Sequence, residues 1–278
     1  MMNLSKTFLW RKLREQKILA AHKRVATICE GLIAEYKKKP KHFVFEEKKH
    51  FDSDKIIWQY WAQGYDNVPT IVRECLESVD TYAKDYMIVR LTDDNLSEYL
   101  DLPSFVRQKR SIFSRAFFSD LLRLILLKTY GGIWMDATIM LSGTLPSEYV
   151  NNDLFCFRRD PDEPNISYWR NTYAYYFGWA DGFRVNMLSS FLVGKKGSRT
   201  ISDLCDMLLL WWEDHTDLPD YFFLQILFDS YPLNEQFPLV SDTLPHYLQQ
   251  SINDPSFSIM SREDILKIIP IHKRTYKQ

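Results

Sequence analysis

Residues 114–141, SRAFFSDLLRLILLKTYGGIWMDATIML, constrain the fold of this chain more than any other stretch. Phe117, Phe118, Leu121, Leu122, Leu124, Ile125, Leu126 and Leu127 leave little of the helix they predict for solvent. A helix that is apolar all round is a buried one. Gly131 and Gly132 then end it in the manner of a helix C-cap, and IWMDATIML follows at once as an apolar strand. Charges inside such a unit need a reason, because Asp and Arg are almost never fully buried without partners. Asp120 and Arg123 lie three residues apart on one helix face, and Asp136 interrupts the strand. An ordinary surface pair at that spacing contributes only about 0.2–0.5 kcal/mol. Convergence of all three charges at one sheet edge is the sharper expectation. Carboxylates at a strand end suit a hard cation, which in turn suits a diphosphate.

The rest of the chain supplies the sheet. KIIWQYW (55–61) and YMIVRLT (86–92) read as strands, TIVRECLESVDTYA (70–83) as a helix and DDNLSEYL as the start of a short one. Strands alternating with helices predict a mostly parallel α/β sheet, whose ligands bind beyond the carboxyl ends of the strands. Past residue 151 the pattern loosens. YWRNTYAYYFGWADGF (168–183) holds eight aromatics in sixteen residues, SSFLVGKKGS (189–198) reads as a strand and tight turn, and residues 200–215 and 220–231 as apolar helices. The tail SREDILKIIPIHKRTYKQ adds a helix and a basic terminus.

Charge is divided unevenly. Residues 1–50 hold thirteen Lys or Arg against five Asp or Glu, and the remainder 22 against 31, so a net −1 hides a basic arm on an acidic body. Residues 4–38 have no proline and one glycine and read as helical, with KKKPKH (37–42) as the hinge. The expected organisation is a basic helical arm over 1–50 and a catalytic domain over 51–278. The arm is either an accessory helix packed on the body or an amphipathic segment resting on anionic lipid at the inner membrane leaflet. No aromatic–basic interleaving accompanies it, so nucleic acid is not an expected partner. No apolar run approaches the roughly 20 residues of a membrane span, and the N-terminus lacks the apolar core of a secretory signal. Four scattered cysteines without a CxxC pair argue against a zinc cluster or disulfide framework. A soluble, cytoplasmic chain is the expectation.

SDLLRLILLKTYGGIWMDAT resembles the sugar-binding signature of glycosyltransferases that carry a DXD motif, roughly S-D-x-x-R, an apolar stretch, then Y-G-G-x-[WY]-x-D. It is most similar to the bacterial capsular polysaccharide synthesis branch, related to α-mannosyl- and α-galactosyltransferases and to the catalytic domains of clostridial glucosylating toxins. KIIWQYW, DYFFLQILFD and IHKRTYK fall in family order, so the resemblance covers about residues 52–278.

The resemblance implies a GT-A glycosyltransferase fold, a Rossmann-like sheet flanked by helices, carrying the N-terminal helical extension. It implies retaining transfer of a sugar from a nucleotide-sugar donor, UDP-linked, to a capsular or other surface polysaccharide, with a lipid-linked oligosaccharide or glycan as acceptor. Trp58 falls where the nucleobase is held, with a core aromatic as the competing reading, and Gln59 beside it is a donor-binding candidate. Asp120 and Arg123 fall at the donor's sugar, ribose or phosphate, and Asp136 at the first acid of the DXD motif. Thr138 replaces the second acid, so affinity for Mn²⁺ or Mg²⁺ should fall unless another group helps. His272 is the expected helper at the metal, and Lys273, with Lys277 in reserve, the expected partner of the diphosphate. Asp220, Trp179 and Asp181 are the acceptor-side candidates, the two acids competing with readings as a helix cap or turn. The alternative is a catalytically silent nucleotide-sugar or glycan-binding protein, with Thr138 marking a degenerate metal site.

Overall fold

The computed structural model describes residues 4–172 and 175–275. In chain order the elements are α1 (Leu4–Lys38), β1 (Ile56–Tyr60), α2 (Thr70–Tyr82), β2 (Met87–Leu91), α3 (Ser104–Lys109), α4 (Arg115–Thr129), β3 (Gly132–Met135) and β4 (Ile139–Leu141). Then come α5 (Ser147–Val150), β5 (Leu154–Arg158), α6 (Ile166–Thr172), β6 (Met187–Gly194), α7 (Arg199–Asp214), α8 (Phe223–Ser230), α9 (Tyr247–Asn253), α10 (Arg262–Ile268) and β7 (Ile271–Lys273). Short 3₁₀ turns stand at Leu96–Glu98 and Leu244–His246.

The apolar stretch is the buried helix its composition demands. Ser114 caps α4 by accepting the Phe117 N–H at 3.2 Å, and eleven residues of the helix are buried, Asp120 and Arg123 among them. Gly131 takes φ 75° and returns its N–H to Leu127 O at 2.9 Å, which closes the helix. Gly132, at φ 103°, sits so close to β1 that a Cβ there would lie 2.5 Å from the Ile56 carbonyl oxygen. Two glycines therefore let β3 start directly beside β1.

The central sheet has the order β2-β1-β3-β6-β5. β1 is parallel to both β2 and β3, while β6 is antiparallel to β3 and β5, so four of the five strands run one way. Strand alternation divides the core. Ile56, Trp58 and Trp134 face a cluster shared with α1, α4, α7 and α8. Ile57, Ile133 and Met135 face the other side, toward Val79 of α2 and Ile139 and Leu141 of β4. Every residue of β1 is buried, as a central strand covered on both faces must be.

Two expectations change here. IWMDATIML is not one strand: the chain leaves the sheet after Met135 and turns through Asp136–Thr138, with the Ile139 N–H donating to Asp136 O at 2.8 Å. Asp136 thus stands in a turn, where a residue disfavoured in strands fits. The basic tail is partly a strand: β7 pairs antiparallel with β4, Lys273 opposite Ile139, in a second small sheet.

Helix α1 packs on the body as an accessory element. Val25, Cys29, Ile33 and Tyr36 are buried in the main core. The Tyr36 hydroxyl lies 2.9 Å from Asp203 and 3.1 Å from Asp206, and the Phe43 N–H donates to Asp206 at 3.1 Å. Lys12, Lys17, Lys23, Arg24 and Lys37–Lys39 remain on the exposed side. Among the described residues no helix is long and apolar enough to cross a membrane.

Candidate functional site

β1 and β3 end side by side, and the segments just beyond them line one cleft of about 490 Å³. After β1 come Trp61, Ala62 and Gln63; after β3 come Asp136, Ala137 and Thr138. The start of α4 adds Arg115, Ala116 and Ser119, and the end of β7 adds Lys273, Arg274 and Thr275. The cleft stands at the carboxyl ends of parallel strands, where open α/β sheets take their ligands.

The Asp136 turn is fixed from four directions. Its backbone N–H donates to Ser190 O of β6 at 2.9 Å. Trp134 Nε1 donates to Asp136 Oδ1 at 2.8 Å, and Arg123 Nη2 lies 3.6 Å from the same oxygen. Lys273 Nζ donates to Asp136 Oδ2 at 3.0 Å and to Thr138 Oγ1 at 2.7 Å. The Arg274 N–H donates to Thr138 O at 2.9 Å, so β7 is stapled to the turn. Burial by itself would raise the Asp136 carboxyl, but Lys273 and Arg123, with the Trp134 and Lys273 hydrogen bonds, hold it below its usual range. Asp120 has the opposite fate. Burial and the neighbouring Asp136 push it up to about 6 against the pull of Arg123, whose Nη1 donates to it at 2.5 Å. Asp120 and Arg123 are 6% and 4% exposed, so they stand behind Asp136 rather than on the cleft wall.

The structure therefore brings together Asp120, Arg123, Asp136, Thr138 and Lys273. It puts the other predicted residues elsewhere. Trp58 is fully buried, its Nε1 donating to Gly131 O at 2.8 Å and its ring against Tyr130 and Phe51, so it is a core aromatic and lines no part of the cleft. Gln59 is also fully buried and accepts from Arg90 Nε at 3.2 Å. His272 alternates with Lys273 along β7 and points the other way, Nε2 to Ser142 Oγ at 2.9 Å. Burial, helped by Arg274, lowers its pKa to about 4. Lys277 lies outside the described residues.

The acceptor-side candidates each have local partners of their own or lie in a turn. Asp220 accepts the Phe222 N–H at 2.8 Å as the turn into α8, and Asp181 stands in the exposed turn that ends at Gly182. Trp179 donates to Asp160 O at 2.7 Å and lies over Arg159. Four rings of the aromatic stretch, Tyr176, Phe177, Trp179 and Phe183, surround that guanidinium, which bridges Asp242 at 3.0 and 2.9 Å. These four rings pack round a buried cation.

The donor set at the turn does not make a hard-cation site. The turn offers one carboxylate and one hydroxyl, and an ammonium donates to both. Among the described residues no group of three His, Cys, Asp or Glu could hold a metal ion. Divalent cations of this kind want several oxygen ligands with free lone pairs.

The sequence profile described as "Capsular polysaccharide synthesis protein" matches residues 8–278. The chain belongs to that family. The match includes almost all of α1, so the family resemblance reaches well beyond the expected boundary at 52. The chain is also similar to the O-glycosyltransferase braB of Annulohypoxylon truncatum, 25% identical over 245 residues, covering 78% of this chain and 52% of that protein. The O-glycosyltransferase PaGT of Phomopsis amygdali is 24% identical over 177 residues, covering 60% of this chain and 41% of that protein. The chain thus spans about half the length of the curated relatives it matches. A solved structure of the PaToxG glycosyltransferase superposes with a TM-score of 0.36 at 16% identity, over 76% of this chain and 79% of that one, too loosely to carry an argument.

Within this family member, Trp61, Arg115, Tyr221, Gln249 and Arg274 are cleft residues that sequence reasoning missed. Two carried a readable signal. Trp61 is the residue just beyond β1, and Arg274 is the neighbour of Lys273 in the basic tail. Arg115, Tyr221 and Gln249 reach the cleft only through tertiary packing.

Proposed function

We propose that the chain is a glycosyltransferase of GT-A type that moves a sugar from a UDP-linked donor to a hydroxyl of a surface-polysaccharide precursor, with retention of anomeric configuration. One observation carries the reading: the Asp136–Thr138 turn, tied to Lys273, opens at the ends of β1 and β3 into a cleft whose other cations are Arg115 and Arg274. A diphosphate suits a cleft lined by three cations and one partly exposed carboxylate. In the transfer, the bond from the anomeric carbon to the leaving phosphate oxygen breaks and the acceptor oxygen bonds to the same face. The acceptor proton passes to the departing phosphate, so no protein base is required. Charge builds on the diphosphate, where fixed cations act most strongly on the barrier. Asp136 positions the donor sugar and Lys273 together, and the buried Asp120–Arg123 pair holds Asp136 in place. Trp61, rather than Trp58, takes the nucleobase.

A lipid-linked oligosaccharide is the acceptor that fits α1. Trp10 is 74% and Leu13 47% exposed, beside Arg11, Lys12 and Arg14, a combination suited to an anionic membrane surface. The reaction is tested by a screen of nucleotide sugars for hydrolysis and transfer, read for the wild type, Asp136→Asn and Arg123→Ala. Turnover of at least one donor is expected, falling about 100-fold or more in Asp136→Asn. Normal rates in both variants would overturn the assignment. Nucleotide binding without turnover of any donor would favour the silent binding protein that Thr138 invites.

A further inference from the structure

The turn that should hold a metal is built around an ammonium. Thr138 offers no charge, and its hydroxyl accepts from Lys273 Nζ at 2.7 Å. Asp136 offers two oxygens, one accepting from Lys273 at 3.0 Å and the other from Trp134 Nε1 at 2.8 Å. Lys273 is not there by chance of a floppy tail. β7 pairs with β4 in a register that sets Lys273 opposite Ile139, and the Arg274 N–H closes the ladder on Thr138 O. The side chain is one-quarter exposed, so its charge reaches the cleft. With Arg115 and Arg274 also lining it, the cleft presents three cations and one carboxylate.

We propose that Lys273 takes the electrostatic place of a divalent cation at this turn, so that nucleotide binding and sugar transfer by this chain need no metal. The inference rests on the reading of the cleft as a nucleotide-sugar site. Thr138 then has a positive role. A second carboxylate there would pair with Lys273 and neutralise it, whereas a hydroxyl orients the ammonium without cancelling its charge. Asp136 holds Lys273 from the other side in the free protein. When a diphosphate enters, Nζ exchanges part of that contact for phosphate oxygens.

The test is calorimetric titration of the full chain with UDP, GDP and dTDP in excess EDTA and again in Mn²⁺, for the wild type, Lys273→Met and Lys273→Arg. The expected result is one affinity for the preferred nucleotide in both buffers. Lys273→Met should weaken it about tenfold to a hundredfold, the worth of a charge-assisted hydrogen bond, and Lys273→Arg should recover most of the loss. A lysine with only a structural role would not show charge rescue. Binding that appears only with Mn²⁺ would overturn the inference and leave the nucleotide-sugar reading intact. No binding of any nucleotide in either buffer would overturn both. Because the wild-type comparison needs no variant, a misfolded Lys273→Met protein would not shelter the proposal.

Discussion

Replacing Arg159 by Met tests whether the aromatic stretch is built round a buried charge. Asp242 is completely buried and Arg159 nearly so, and the guanidinium also donates to the carbonyls of Gly178 at 2.7 Å, Tyr176 at 2.8 Å and Val185 at 3.2 Å. Met preserves much of the apolar stem but strands a carboxylate in the core. Breaking a buried pair from one side costs about 3–5 kcal/mol. For a chain of this size that lowers Tm by roughly 6–20 °C, at about 2–4 °C per kcal/mol. Asp242 already sits above the usual carboxylate range through burial, despite the opposing pull of Arg159. Without that pull the carboxyl rises further, so the variant's loss should be larger at pH 8 than at pH 5. The double variant Arg159→Met with Asp242→Leu should regain at least half of the loss, because no unpaired charge remains. Urea denaturation followed by tryptophan fluorescence measures all three proteins. A single-variant loss below about 1 kcal/mol, or a double variant no better than the single, would refute the buried-charge explanation of this cage.

Gly132→Ala should destabilise by about 1–3 kcal/mol, because its φ of 103° and the 2.5 Å approach to Ile56 O leave no room for Cβ. Gly64→Ala is the control, having φ 84° but no atom within 4 Å, and it should cost less in the same urea assay. The pKa of His272 is lowered to about 4 and that of His246 to about 3, both by burial first. The unfolded chain protonates these histidines below about 6.5, so each removes about 2 kcal/mol of stability between pH 7 and pH 5. Asp120, pushed up to about 6, acts with the opposite sign and returns about 1 kcal/mol over the same window. Denaturation midpoints across that range should fall, and a midpoint that rises would contradict the sum. Trp58→Phe should cost about 1 kcal/mol of stability through the lost bond to Gly131 and leave UDP affinity unchanged. Trp61→Ala should instead weaken UDP binding by about 1–3 kcal/mol, the range of base–aromatic stacking, as read by calorimetry.

The layered fold and the placement of Asp136 were readable where signals were local. A helix apolar on all sides, two glycines and a strand at once afterwards leave few alternatives, and the structure adds only the close approach of Gly132 to β1. The end of β3 was harder to read. Ile133–Met135 and Ile139–Leu141 are equally apolar, so periodicity ran them together, and only the hydrogen bond from Ile139 N–H back to Asp136 reveals the turn. Trp58 and Trp61 stand three residues apart in KIIWQYW. Where the strand ends decides which of them is core and which meets the cleft, and strand ends are set by neighbours. His272 and Lys273 show the same limit: the tail marked both as candidates, but the pairing of β7 with β4 chooses the face. The Arg159 cage joins residues 83 positions apart at Asp242 and was invisible as a pattern. An aromatic-rich stretch reads the same whether it covers a guanidinium or a glycan.

A crystal of the wild-type chain soaked with UDP in EDTA tests metal-free nucleotide binding at the Asp136 turn most directly. The expected result is a diphosphate against Lys273 and Arg274 in the cleft beyond β1 and β3, with the base beside Trp61 and Lys273 Nζ still within reach of Thr138. Nucleotide bound elsewhere on the protein, or a cleft that stays empty at a concentration that saturates binding in solution, would contradict it.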